Sequence, residues 1–161
     1  MFLRTEYLKP KKLIGFSNKM NLYNVGPQTQ ALWKKLMPAR NLVQHRVGSF
    51  YYSLQDYEFD YSFQTLDPSA FFTKWAAVEV FDFAGNDNFE SFKLVKGNYA
   101  VFLHKGLPSA YPKTMGFIMG QWLPNSDYVL DNRPHFELIT ADYKPNDPEA
   151  EEEIWIPIKS S

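Results

Sequence analysis

The sequence predicts an α+β fold built from two similar halves, each with the order strand, helix, strand, strand. Short apolar runs bounded by Gly, Pro and Asn are typical of strands, and two longer stretches have the apolar spacing of helices. In addition, residues 86 positions apart match, among them Phe16 with Phe102, Pro38 with Pro124 and Phe50 with Phe136. We therefore expect duplicated halves whose antiparallel sheets carry the two main helices on one face, with a ligand cleft between the halves.

The strands are predicted from runs of β-branched, aromatic and aliphatic residues that end at turn-forming residues. Pro10 separates the first two strands, and residues 56–73 form an acidic and aromatic loop that we expect to cover part of the molecule. The predicted strands lie at 4–8, 11–16, 49–55, 74–81, 89–95, 97–104, 136–140 and 152–158.

Two helices are predicted, one in each half. The first covers 27–45, because Pro27 suits a first helical turn and the apolar residues after it follow helical spacing. We expect Pro38 to bend or split this helix, because proline lacks the amide hydrogen that the helix needs. The second covers 111–122 and ends at Pro124.

The composition limits the class of protein. At 161 residues the chain predicts one domain, 1–161, with halves at about 1–82 and 88–161. The absence of cysteine excludes disulfides and thiolate metal sites, and fits the cytoplasm. The net charge of −1 and the lack of an 18-residue apolar run argue against nucleic-acid and membrane partners. The three histidines lack metal-ligand spacing, so we predict no metal, and no motif indicates a cofactor.

One carboxylate lies inside an apolar strand near the end of the chain. Glu137 is flanked by Phe136 and Leu138, and a buried carboxylate is costly unless something pairs with it. Glu137 is therefore the best candidate for a functional group. Because antiparallel sheets often leave one face in water, an exposed structural position is the alternative for Glu137 and for Glu79.

Alternation along the strands predicts which residues share a face. If the isoleucines of the last strand face the helices, Trp155 points away from them. If Phe136 and Leu138 belong to the core, Glu137 lies on the same far face as Trp155. The same reasoning in the first half completes a predicted ligand-binding face: Tyr51, Trp75, Glu79, Glu137, Ile139 and Trp155. Aromatic rings around a carboxylate favour cationic or amphipathic ligands.

Four segments in series resemble a known family: Gly97–Gly106, Gln121–Pro124, Arg133–Leu138 and Glu153–Ile158. Together they are similar to the GyrI-like domain, the effector-binding domain at the C-terminus of many bacterial AraC-type and MerR-type transcription regulators. The resemblance implies duplicated halves with a ligand cleft between them. It also implies that Glu137 lies in that cleft and faces cationic or amphipathic ligands.

The leading hypothesis is a cytoplasmic sensor or sequestering protein that binds small amphipathic, cationic organic molecules. The regulators of this family carry an N-terminal DNA-binding region, whereas this sequence starts with the effector-like domain. We therefore expect no direct nucleic-acid binding, and consider a regulator or gyrase as a protein partner.

Two alternatives use the same sequence differently. The first is a hydrolase of electrophilic strained-ring molecules, in which Glu137 activates water with help from a tyrosine such as Tyr51. The second is a protein-interaction module such as a gyrase inhibitor. A closed, dry cleft in the structure would favour the second alternative.

Overall fold

The chain forms nine strands and two helices, and the computed structural model describes residues 1–161. The first half contains β1 (Phe2–Leu8), β2 (Lys11–Met20), α1 (Val25–Ala39), β3 (Tyr51–Asp56) and β4 (Phe72–Val80). The second half contains β5 (Glu90–Leu94), β6 (Gly97–Lys105), α2 (Tyr111–Phe117), β7 (Tyr128–Leu130), β8 (His135–Ile139) and β9 (Glu151–Ser160). The α+β prediction is confirmed, and β7 is the strand that the sequence did not predict.

The strands pair antiparallel in the order β1-β6-β9-β8-β3-β4-β2-β5, while β7 pairs with the end of β9. The halves meet where β3 pairs with β8. The edge strands are exchanged, because β1 precedes β2 in the chain but pairs with β6, and β5 precedes β6 but pairs with β2. Each predicted half, 1–82 or 88–161, therefore contributes an edge strand to the other.

Helix α1 packs on the first half of the sheet through the buried Leu32 and Leu36. It is shorter than predicted, because it ends at Ala39, one residue after Pro38. The chain then continues as a single 3₁₀ turn, Arg40–Leu42. Proline removes a helical hydrogen bond and crowds the preceding turn, which accounts for this ending.

Helix α2 packs on the second half of the sheet. Its Met115, together with Ile118 and Met119 of the wider π-type turn that follows, contacts a core made by β6 and β9. As predicted, the isoleucines of β9 lie in this core. Neither helix is both long and apolar enough to cross a membrane.

The opposite face of the sheet is buried as well. Tyr52 and Leu54 of β3, Phe136 of β8 and Trp155 of β9 belong to a third core, which also includes Leu8 and Leu94 from the two edge strands. The rings of Phe136 and Trp155 stack with centroids 5.1 Å apart. The central strands are therefore buried on both faces.

Candidate functional site

A stripe of polar side chains crosses the helix-bearing face of the sheet between the two helix-side cores. We call these residues the polar stripe: Ser53 and Gln55 of β3, Lys74 of β4, His104 of β6, His135 and Glu137 of β8, and Glu152 of β9. Seven polar or charged residues of the chain are buried, and six of them belong to this stripe. Buried polar groups are costly, so their concentration in one place identifies the candidate site.

Strand register places these residues side by side. Gln55 lies opposite Lys74 on one neighbouring strand and opposite His135 on the other. Ser53 lies opposite Glu137. Across the second half, His104 lies opposite Glu152. Because register partners share a face, five adjacent strands contribute to one continuous surface.

Glu137 is the central acid of the stripe, and only one of its oxygens is satisfied. The Gln55 amide donates to Oε1 at 3.1 Å, and the Lys74 ammonium lies 3.7 Å from the same oxygen. The side chains of Glu137 and Lys74 are each 8% exposed. The other oxygen, Oε2, is buried and has no hydrogen-bond partner in the protein. Such an orphan acceptor is costly, so Oε2 is the atom best placed to accept a ligand.

Burial raises the pKa of Glu137, and the nearby Lys74 and the Gln55 hydrogen bond oppose this rise. Burial, followed by the charge of Glu137, raises the pKa of the partly exposed Glu152 to about 8, against the effect of Lys74. The two carboxyl groups and Lys74 therefore influence one another, and a further positive charge beside the acids would favour their ionised forms.

Aromatic rings surround the polar stripe. Tyr57 and Tyr61 pack against His135 with ring centroids 5.1 and 4.9 Å away. Both tyrosines come from residues 57–71, the segment between β3 and β4, which lies within the predicted covering loop 56–73. Burial, followed by the charge of Arg133, lowers the pKa of His135 to about 3, so its imidazole is neutral at physiological pH. Burial raises the pKa of Tyr61 and of Tyr143 to about 12, so these phenols are neutral hydrogen-bond donors.

Helix α2 closes the other end of the stripe through His104. The ring of His104 lies 5.9 Å from that of Tyr111. Its Nδ1 lies 2.7 Å from the Thr114 hydroxyl and its Nε2 lies 3.4 Å from the Leu107 carbonyl oxygen. A carbonyl can only accept, so Nε2 donates to Leu107, while the Thr114 hydroxyl can serve as the partner of Nδ1. His104 is thereby tied to the start of the helix.

A cavity of about 240 Å³ adjoins the stripe. Tyr57, Tyr61 and His135 form part of its wall, and Arg133 and Lys159 form another part. Glu137 lies two residues beyond His135 on the same face of β8. The cavity therefore reaches the stripe at His135, whereas Glu137 is not part of its wall.

Comparison with known proteins identifies the family. The model of the GyrI-like small molecule binding domain matches residues 1–159, which is nearly the whole chain. The chain belongs to the GyrI-like family. The predicted resemblance is confirmed. A search of curated proteins gave no match to the sequence.

Solved structures share the fold of this GyrI-like chain. SAV2435 bound to tetraphenylphosphonium is 18% identical with a TM-score of 0.77, over 99% of this chain and 94% of that one. The EcmrR C-terminal domain is 15% identical with a TM-score of 0.60, over 100% and 99% of the two chains. A hydrolase from Listeria innocua is 12% identical with a TM-score of 0.59, over 97% and 91%. At these identities the likeness concerns the fold alone.

The six site residues predicted from the sequence do not share one face of this GyrI-like sheet. Glu137, Tyr51 and Ile139 lie on the helix-bearing face, where Tyr51 and Ile139 are register partners. The prediction that Trp155 joins Glu137 is wrong, because Trp155 lies opposite Phe136 in the register, and Glu137 lies opposite Ile154.

Trp75 and Glu79 also lie on the far face from Glu137. Trp75 pairs in register with Leu54 and packs in the third core. Glu79 accepts from the Tyr52 hydroxyl at 3.5 Å on that same face. The error has one physical cause. Phe136 and Leu138 were assigned to the helix-side core, but the far face of the central strands is also a core, so an apolar residue does not reveal which face it occupies.

Sequence reasoning missed most of the residues that surround Glu137. Lys74 alternates with Ala76 and Val78, which pack in the core under α1, and Glu152 alternates with Ile154 and Ile156, which pack in the core under α2. A charged residue in phase with a core face was the available signal. The tyrosines of residues 57–71 gave no periodic signal, because they lie outside regular structure.

Proposed function

We propose that this protein binds small amphipathic organic cations, with Glu137 as the group that receives the positive charge. The observation that carries the proposal is the buried Oε2 of Glu137, which has no partner in the protein. A cation beside this oxygen would compensate a charge that is otherwise poorly solvated. Membership of a small-molecule binding family and the tetraphenylphosphonium bound to SAV2435 support the same ligand class.

The surrounding aromatic rings suit the organic part of such a ligand. Tyr57 and Tyr61 line the 240 Å³ cavity and pack against His135, the residue of the stripe that also lines it. Ring faces attract cations, and neutral phenols can donate hydrogen bonds. Because Glu137 is only 6% exposed, the ligand reaches it when residues 57–71 move aside. Binding would thus couple recognition to the opening of this loop, which fits a sensor or sequestering protein.

The test uses two ions of the same shape and opposite charge, tetraphenylphosphonium and tetraphenylborate. We expect calorimetric titration to show that the wild type prefers the cation. Glu137→Gln should weaken cation binding by about tenfold or more, because a carboxylate and a cation in a partly buried site interact by well over 1 kcal/mol. The affinity of Glu137→Gln for tetraphenylborate should be no lower than that of the wild type.

Glu79→Gln is the matched control, because Glu79 is also paired with a lysine but lies on the opposite face. Its cation affinity should stay within about twofold of the wild type, since sites without shared partners act independently. Equally weak cation binding by the wild type and Glu137→Gln would overturn the proposal.

The closed site is the one observation that favours a protein-interaction module instead. If that function were correct, the wild type would bind neither probe, and residues 57–71 would stay closed. Hydrogen exchange of these residues with and without tetraphenylphosphonium separates the two functions, since only ligand binding changes their protection.

A further inference from the structure

The polar stripe contains a cation of its own. Lys74 belongs to β4, is buried, and faces Glu137 across the intervening strand β3. Its ammonium lies 3.7 Å from Oε1, beyond hydrogen-bond distance, and Oε1 already accepts the Gln55 amide. Lys74 therefore balances charge without satisfying Oε2, the second oxygen of the carboxylate.

A second carboxylate is close enough to matter. Glu152 lies on the same face of β9 as Ile154, the register partner of Glu137, so the two acids are diagonal neighbours. Diagonal positions are about 7–8 Å apart and within reach of long side chains. With both acids ionised, the cluster contains two negative charges and one positive charge, and so has room for one more positive charge.

We propose that Lys74 is the specificity-determining residue of this site. Its positive charge neutralises one of the two negative charges of Glu137 and Glu152, so that the stripe accepts an organic monocation. The stripe then binds this cation less tightly than the two carboxylates alone would. This inference rests on the proposed function, and adds to it the charge of the ligand and the residue that sets that charge. Lys74 would repel the ligand while Glu152 attracts it.

A purely structural lysine would behave differently. If Lys74 only stabilised the buried Glu137, its removal would loosen the site and weaken every ligand in the same way. If Lys74 sets the net charge of the site, its removal strengthens the binding of cations but does not strengthen the binding of anions. The sign of the change therefore separates the two roles.

The experiment compares tetraphenylphosphonium with tetraphenylborate in four proteins at pH 9, above the pKa of about 8 of Glu152, so that this acid is ionised. Lys74→Met keeps most of the length of the side chain and removes its charge, so cation affinity should rise by about tenfold, as expected for one unit charge at partly screened distance. Glu152→Gln should lower cation affinity by a similar factor. The double variant should return to within about threefold of the wild type, because its cluster again has one excess negative charge.

Lys11→Met is the matched control. Lys11 pairs with Glu79 on the opposite face of the sheet, so this change removes the same charge from another ion pair. Cation affinity should stay within about twofold of the wild type. Thermal melting of each variant establishes that it is folded. If Lys74→Met does not fold, the partly exposed Glu152→Gln decides the question, and an undiminished cation affinity would overturn the inference.

Two failures can be told apart. If the wild type binds the cation, Glu137→Gln does not, and Lys74→Met binds it no more tightly than the wild type, then Lys74 is structural and the proposed function survives. If neither the wild type nor Lys74→Met binds either ion, both the proposed function and this inference are wrong.

Discussion

Two lysine–glutamate pairs lie on opposite faces of the same sheet, and only one of them is left incomplete. Lys11 contacts both oxygens of Glu79 at 3.3 and 3.4 Å, and the Tyr52 hydroxyl adds a third contact. Lys74 contacts one oxygen of Glu137 at 3.7 Å and the other oxygen has no partner. The satisfied pair is 25% and 20% exposed, whereas the unsatisfied pair is 8% exposed on each side.

This difference separates a structural ion pair from a candidate binding group. Exposed pairs contribute little to stability, and their polar atoms are completed by neighbours or water. A buried pair with a missing hydrogen bond is costly, and such costs are typical of functional sites. Residue types alone do not distinguish the pairs. Burial and the count of satisfied atoms do.

The largest expected effect comes from removing each acid. Glu137→Ala should lower the free energy of unfolding by about 3 kcal/mol, because Lys74 would remain buried without its nearest counterion. Glu79→Ala should cost about 1 kcal/mol or less, since Lys11 can turn to water. Urea denaturation monitored by fluorescence measures both. Equal costs would contradict the distinction drawn between the two pairs.

The same comparison explains what could be predicted from the sequence. All the helices and strands except β7 followed from apolar periodicity and prolines, and the isoleucines of β9 face a helix as expected. The face of Glu137 could not be deduced from its neighbours, because Phe136 packs in one core and Ile154 in another. Alternation distinguishes faces only where one of them is exposed.

The pairing of strands that are distant in the chain could not be predicted from the sequence either. The exchange of β1 and β5 between the halves depends on strand register, which is set by packing across the sheet. The cover formed by Tyr57 and Tyr61 depends on the path of an irregular segment. These features bring together residues that are far apart in the chain, and no local pattern records them.

A second, intermediate effect concerns pH. Folding raises the pKa of Glu152 from 4.5 to about 8, through burial and then the charge of Glu137. Between these values the folded state binds more protons than the unfolded state, so this group lowers stability as pH rises from about 4.5 to 8. Several other ionisable groups face Glu152 or interact with its charge. They are Glu137, Lys74, His104, Tyr111 and Tyr143.

Glu152→Gln removes this proton and should therefore gain stability relative to the wild type as pH rises through that window. Melting temperatures of the two proteins, measured from pH 5 to 8.5, give the comparison. His135, whose pKa burial lowers to about 3, destabilises both proteins equally as pH falls below about 6.5, so its effect cancels in the difference. Parallel curves for the two proteins would show that Glu152 does not hold the extra proton.

The smallest expected effect tests the far face. Trp155 stacks on Phe136 and donates from its indole nitrogen to Glu153 at 3.1 Å, on the opposite side of the sheet from Glu137. Trp155→Phe should cost about 1 kcal/mol of stability through lost packing and this hydrogen bond. Its affinity for tetraphenylphosphonium should stay within about twofold of the wild type, because Trp155 and Glu137 share no partner. A larger loss of affinity in calorimetry would mean that the ligand contacts the far face. Binding would then not be confined to the helix-bearing face of the sheet.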